Sequence, residues 1–97
     1  MASLSWTLEA ERWLQDIHDY IAADNPLAAD QTTQGIYDRA QLLQDFPDSG
    51  YRYWAPARNV RILLYGHYRI TYLIAGNGSI EILGVFHGAL DLSKYEL

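Results

Sequence analysis

Apolar residues recur at helical spacing early in the chain. One stretch runs from about Leu8 to Ala23, and its apolar positions fall three and four residues apart, as on one face of an α-helix. These positions are Ala10, Trp13, Leu14, Ile17 and Ile21. Thr7 directly precedes the stretch and is a suitable N-cap, because its side-chain oxygen can accept a hydrogen bond from the first turn. The pattern predicts an amphipathic first helix.

A second helix is predicted after the break at Asp24-Asn25-Pro26. Asn25 can cap the helix, and Pro26 suits the first helical position, where an N–H group is not needed. The predicted inward face comprises Ala29, Thr33, Ile36, Ala40 and Leu43. We expect the helix to end before Phe46-Pro47, since the residue before a proline avoids the helical conformation. The short link between the helices predicts an antiparallel helical hairpin.

Strand signals follow in the second half of the chain. Three strands are predicted, at Val60 to Tyr65, Tyr68 to Ala75 and Ile80 to His87, with turns at Gly66-His67 and at Gly76-Asn77-Gly78. Three consecutive strands joined by short turns predict an antiparallel meander.

The region before these strands is predicted to be irregular from Tyr51 to Asn59, because Pro56 argues against a central strand. Leu4 to Trp6 forms a short strand or lead-in. The resulting order, β-α-α-β-β-β, predicts a single α+β domain over residues 1–97, with the helical hairpin packed on one face of the meander.

Both faces of the predicted meander carry apolar side chains. Strict alternation places Ile80, Ile82 and Phe86 on one side of the third strand, with Leu83 and Val85 opposite. Two helices can cover only one face, and an open apolar face on a small domain usually marks a protein partner. We expect partner-binding residues at Tyr68, Tyr72, Leu73, Leu83 and Val85. The alternative is that the C-terminal segment, Leu90 to Leu97, folds back over this face.

Charge is distributed unevenly along the 97 residues. The net charge is −5, and nine of the 12 acidic residues lie before Gly50, whereas five of the seven basic residues follow it. An acidic chain is a poor general nucleic-acid binder, so we expect no sequence-specific DNA binding by the chain alone. No cysteine is present, and the N-terminus resembles no signal peptide. We expect a cytoplasmic protein that does not associate with a membrane.

Established short motifs of catalysis and cofactor binding are absent from the sequence, so no cofactor is predicted. His18, His67 and His87 are far apart, so no metal site is predicted either.

One candidate constellation remains: Arg61, Arg69 and His87, which sit near the ends of three predicted neighbouring strands. Arginines can bind a phosphodiester and a histidine can protonate its leaving oxygen, if the three face a shared surface. The alternative is that the arginines are solvent-facing and pair with Glu81 or Asp91, and that His87 is a strand-end hydrogen bonder.

Several stretches, in this order and spacing, resemble the RelE/ParE superfamily of toxins from type II toxin–antitoxin systems. They are Trp6 to Ala10, Ile17 to Ala29, Phe46 to Gly50, Arg61, Tyr68 to Tyr72, and Val85 to Ala89 with Asp91. The resemblance spans nearly the whole chain and agrees with the predicted element order. It implies a growth-inhibiting, plasmid-stabilising toxin encoded beside a cognate antitoxin. The antitoxin's disordered segment would fold around the toxin and cover its apolar second face.

Two activities divide the superfamily. RelE-like members cut mRNA on the ribosome, whereas ParE-like members inhibit DNA gyrase and need no catalytic residues of their own. The net charge of −5 and a single lysine, Lys94, argue against the nuclease branch, and Asp19 to Pro26 looks ParE-like. We therefore expect a gyrase inhibitor. The alternatives are a ribosome-dependent mRNA endoribonuclease using Arg61, Arg69 and His87, and an inert relic that only occupies an antitoxin.

Overall fold

A computed structural model describes residues 3–53 and 58–87 of the chain. In order, the elements are β1 (Leu4–Trp6), α1 (Leu8–Ala22), α2 (Pro26–Gln41), a 3-10 turn (Leu42–Gln44), β2 (Tyr51–Tyr53), β3 (Val60–Tyr65), β4 (Tyr68–Ile74) and β5 (Ile80–His87). The five strands form one sheet in the order β1-β5-β4-β3-β2. β1 runs parallel to β5, and the other pairs are antiparallel. The predicted α+β architecture is confirmed.

Both predicted helix caps are confirmed. Thr7 Oγ1 accepts a hydrogen bond from the Ala10 N–H at 3.1 Å, and Asn25 Oδ1 accepts one from the Ala28 N–H at 3.1 Å. Thr7 Oγ1 also donates to the carbonyl oxygen of Ile82 at 3.0 Å, so the start of α1 is attached to β5. Neither helix of the described part of the chain is long and apolar enough to cross a membrane.

The expectation of irregular backbone from Tyr51 to Asn59 is wrong for residues 51–53. Tyr51–Tyr53 forms β2 and pairs with β3, with Tyr51 opposite Ile62 and Tyr53 opposite Val60. A proline excludes a central strand, but β2 lies at the edge of the sheet and ends before Pro56. The sheet therefore has one strand more than predicted.

Strict alternation fails in β5 because the strand contains a β-bulge. Tyr72 lies opposite Ile82, whereas its neighbour Thr71 lies opposite Gly84, which leaves Leu83 as an extra residue. The bulge brings Val85 into the same buried cluster as Ile80 and Ile82, and it sends Phe86 to the other side of the sheet, against Ile62. The predicted sides of Val85 and Phe86 were therefore reversed.

The main core lies between the helices and the side of the sheet that we call the helix face. Its buried members are Ala10, Ile36, Ala40, Leu43, Leu63, Ile70, Tyr72, Ile80, Ile82 and Val85. The opposite side, the outer face, carries Val60, Ile62, Thr71 and Phe86, which are at most 3% exposed. At these four positions the expected open apolar face is absent. The alternative cover, Leu90 to Leu97, lies outside the described residues.

Candidate functional site

Arg61 is bound to the turn that precedes β2. Its Nη1 donates to the carbonyl oxygen of Gly50 at 2.8 Å, and its Nη2 lies 3.6 Å from Oδ1 of Asp48. Only 22% of the side chain is exposed. Two of the guanidinium nitrogens thus contact the protein itself, which gives Arg61 a structural role in holding the turn.

The three residues of the predicted phosphodiester site are not brought together. Arg61 lies opposite Tyr72 on the helix face, and His87 lies opposite Tyr68 on that same face. Tyr72 and Tyr68 are four residues apart along β4, so Arg61 and His87, which lie opposite them, are separated by about 13 Å along the strand direction at the usual rise of a strand. Arg69 alternates with Tyr68 and therefore points to the outer face. One phosphodiester cannot reach both arginines across the sheet.

His87 instead belongs to an aromatic cluster at the end of the sheet. Its ring stacks on His67 with centroids 6.1 Å apart, and Tyr68 meets it edge-on at 5.8 Å. Within residues 3–53 and 58–87, no group of three or more His, Cys, Asp or Glu side chains is placed to hold a metal ion.

The predicted partner-binding residues divide into two groups. Tyr72 and Val85 are fully buried in the core and cannot contact a partner in this conformation. Tyr68, Leu73 and Leu83 are half-buried and remain accessible. Only three of the five predicted residues are therefore accessible, and they do not form one surface, because Tyr68 lies on the helix face and Leu73 on the outer face.

A groove that the sequence analysis missed lies between β1 and the two helices. It has a volume of about 450 Å³ and is lined by Leu4, Ser5, Trp6, Glu11, Leu14, Gln15, His18, Thr33, Tyr37 and Gln41. We call it the β1 groove. The Trp6 ring stacks on Tyr37, with centroids 5.9 Å apart and planes 15° apart. Its size falls in the range of ordinary ligand sites, so it can hold several side chains of another molecule.

Two buried polar atoms of residues that line the β1 groove lack a hydrogen-bond partner in the described part of the chain. They are Nε1 of Trp6 and Nδ1 of His18. A polar atom that loses its contact with water without gaining a hydrogen-bond partner is unfavourable. A molecule in the groove that supplied both partners would relieve this.

His18 connects the two helices. Its Nε2 lies 2.7 Å from Oδ1 of Asp30 on α2, and Oδ1 of Asp19 lies 3.7 Å from its Nδ1. The hydrogen bond to Asp30 is the main cause that raises the pKa of His18 above its usual 6.5. Because an ionised carboxylate only accepts hydrogen bonds, Nε2 carries the proton and Nδ1 holds a lone pair in the neutral ring.

Replacing Asp30 by asparagine is expected to destabilise the protein more in mild acid than in mild base. The pKa of His18 is raised in the folded state, so the stability gained from the charged pair is complete below the unfolded pKa of 6.5. It is lost as the pH rises through the folded pKa. Urea unfolding of wild type and Asp30→Asn, from about pH 5.5 to about pH 8.5, measures this difference.

The matched control is Asp38→Asn on the same helix. The carboxylate of Asp38 accepts a hydrogen bond from Gln34 at 2.8 Å and faces no histidine. The effect of Asp38→Asn on the free energy of unfolding should be the same at every pH of this experiment. An equally constant effect of Asp30→Asn would contradict the assigned role of His18.

Comparison with known proteins agrees with this architecture. The sequence model of the family described as the ParE toxin of the type II toxin–antitoxin system, parDE, matches residues 4–92. Toxin RelE2 of Caulobacter vibrioides is 32% identical over 89 residues, which are 92% of this chain and 98% of that protein.

Solved structures show the same fold. A chain of the chromosomal ParDE system from P. aeruginosa has a TM-score of 0.74 at 27% identity, covering 90% of this chain and 96% of its own. A chain of the toxin–antitoxin complex RelBE2 from Mycobacterium tuberculosis has a TM-score of 0.68 at 20% identity, and the match covers 89% of this chain and 96% of that chain. The latter match supports the fold alone. Since the family match covers nearly all of the sequence, the chain belongs to the ParE toxin family of type II toxin–antitoxin systems, within the RelE/ParE superfamily.

Proposed function

We propose that this toxin is a non-enzymatic inhibitor of DNA gyrase in the cytoplasm and that a cognate antitoxin neutralises it. The observation that carries the proposal is the separation of Arg61 from Arg69 on opposite faces of the sheet. A nuclease that bound a phosphodiester through both guanidiniums would need them on one surface. An inhibitor that acts by binding needs no such arrangement.

The charge of the helical layer supports a protein target over an RNA target. Nine acidic residues precede Gly50, against two arginines, Arg12 and Arg39. A surface with this balance repels RNA, whereas it complements the basic surface by which an enzyme holds DNA. Gyrase is an enzyme of that kind, and the ribosome is rich in RNA.

An antitoxin partner is inferred from the family match and from the related chain of the P. aeruginosa ParDE toxin–antitoxin system. Two parts of the chain suit a partner segment: the accessible residues Tyr68, Leu73 and Leu83, and the β1 groove. Within residues 3–53 and 58–87, β1 pairs with β5 alone, through Ser3 and Thr7, so the backbone groups of Leu4 and Trp6 point to an edge that no described strand occupies. A partner strand can pair with a free edge of this kind.

A gyrase supercoiling assay with the purified chain tests the proposal. Wild type is expected to inhibit supercoiling, and an equimolar amount of the antitoxin is expected to restore it. The double variant Arg69→Ala, His87→Ala should inhibit as well as wild type, because neither side chain belongs to an assembled site. Normal supercoiling at concentrations that arrest growth would contradict the proposal. No growth arrest on expression would favour an inert relic.

The second candidate is a RelE-like, ribosome-dependent mRNA endoribonuclease. It is favoured by the name of the Caulobacter relative, Toxin RelE2, and by the cluster of His67, Tyr68 and His87 at the end of the sheet. Toe-printing of translated mRNA tests it. New cleavage sites that disappear in the Arg69→Ala, His87→Ala variant would support the nuclease, whereas unchanged toxicity in that variant would count against it.

A further inference from the structure

We propose that the β1 groove recognises a peptide amide group of the antitoxin segment, with Trp6 donating to its carbonyl oxygen and His18 accepting from its N–H. Acidification would then weaken binding. This inference rests on the proposed antitoxin partnership and adds the chemistry by which the groove selects its occupant.

The unpaired atoms define what the groove can bind. Nε1 of Trp6 and Nδ1 of His18 are both buried and make no hydrogen bond in the described ranges, and both residues line the groove. The nearest charged group to Nδ1 is the Asp19 carboxylate, whose Oδ1 lies 3.7 Å away, beyond hydrogen-bond distance. The indole nitrogen can only donate a hydrogen bond. Stacking on Tyr37 holds the indole ring in place, which fixes the position of this donor.

The second atom is an acceptor because of Asp30. The Asp30 carboxylate accepts from Nε2 of His18 at 2.7 Å, which leaves the lone pair of the neutral ring on Nδ1. One donor and one acceptor are the complement of a peptide group, whether in a backbone or in an Asn or Gln side chain. The apolar floor, Leu4 and Leu14, suits an apolar side chain beside that amide.

The charges around His18 favour a neutral occupant. Two carboxylates lie beside the ring, Asp19 on α1 and Asp30 on α2. The groove is also lined by two further titratable side chains, Glu11 on α1 and Tyr37 on α2. The described residues of β1 contribute no titratable side chain. A further carboxylate would be repelled by this set, whereas an amide would not.

Protonation of His18 reverses the recognition. Nδ1 then carries a hydrogen and faces the N–H of the bound amide, so an attraction between donor and acceptor is replaced by a contact between two donors. The hydrogen bond to Asp30 raises the pKa of His18 above its usual 6.5, so this change begins at a higher pH than in a free imidazole. If binding requires the neutral ring, affinity falls by about tenfold for each pH unit below that pKa.

Calorimetry with the full-length chain and the antitoxin encoded by the adjoining open reading frame tests this inference. Kd is measured from about pH 5.5 to about pH 8.5. Wild type should bind more weakly as the pH falls. His18→Gln keeps an amide for Asp30 but loses Nδ1 and the titration, so it should bind more weakly than wild type at high pH and show a flat profile. Trp6→Phe should be weaker at every pH but keep the slope.

His67→Gln is the matched control, since His67 lies in the exposed turn before β4 and outside the groove. It should retain the wild-type profile. Equal slopes for wild type and His18→Gln, tighter binding on acidification, or wild-type affinity in Trp6→Phe would each overturn the groove assignment. If the antitoxin bound none of the proteins at any pH, the partnership itself would fail, and this inference with it.

Discussion

Deletion of Leu83 is expected to lower the free energy of unfolding by roughly 3–6 kcal/mol, a large part of what a domain of this size has. Without the extra residue, each side chain of β5 after the deletion would point to the opposite face of the sheet. Val85 would leave the helix-face core and Phe86 would leave its contact with Trp13, where the ring centroids are now 4.7 Å apart. Burial of each such side chain contributes about 1.5–3 kcal/mol. Urea unfolding followed by circular dichroism measures the loss.

Leu83→Ala is the matched control for this deletion. It shortens the same side chain but keeps the number of backbone residues, so the register of β5 is preserved. Because Leu83 is only half-buried, we expect a loss well below that of the deletion. Equal stabilities of the two variants would show that β5 contains no bulge at this position.

Tyr72→Phe is expected to cost about 2–3 kcal/mol, because it removes a buried hydroxyl that holds the turn before β2. This hydroxyl donates to the carbonyl oxygen of Pro47 at 2.6 Å and accepts from the N–H of Gly50 at 2.9 Å. Tyr72 is fully buried, and so is Gly50, whose N–H bonds to the hydroxyl. Both backbone groups would therefore lose their partner. The free energy of unfolding in urea again provides the measurement.

Tyr20→Phe controls for the chemical change alone. Tyr20 lies near the end of α1 with 85% of its surface exposed, so loss of its hydroxyl should change stability by less than about 0.5 kcal/mol. If Tyr72→Phe proved no less stable than this variant, the buried hydroxyl would not be what secures the turn.

The helices were predictable because their signals are local. Thr7 and Asn25 each cap within three residues, and both contacts are present in the structure. The β4–β5 hairpin was predicted from the glycines of its turn, and Gly78 has a φ of 86°, where glycine is favoured. Short-range chemistry of this kind is visible in a single sequence.

The errors arose where structure depends on distant residues. β2 is three residues long and is a strand only because β3 lies beside it. The bulge at Leu83 is defined by its partner strand, β4, so a count along β5 alone cannot locate it. Both features come from pairing between strands.

The candidate site could have been predicted in part. The two-residue turn at Gly66-His67 sets Tyr65 opposite Tyr68, and counting from there already places Arg61 and Arg69 on opposite faces. The β1 groove has a local signal too: Glu11, Leu14, Gln15 and His18 follow helical spacing along one side of α1. Its opposite wall needs the parallel pairing of β1 with β5, which no short-range pattern reveals.

The central claim is that toxicity arises from binding to gyrase and not from a basic catalytic surface. Its most direct test is the supercoiling of a reporter plasmid isolated from cells that express the Arg69→Ala, His87→Ala variant without antitoxin. We predict that growth stops and that the plasmid loses negative supercoils, as with wild type. Two results together would contradict the claim: wild type arrests growth while the plasmid stays fully supercoiled, and the double variant no longer arrests growth.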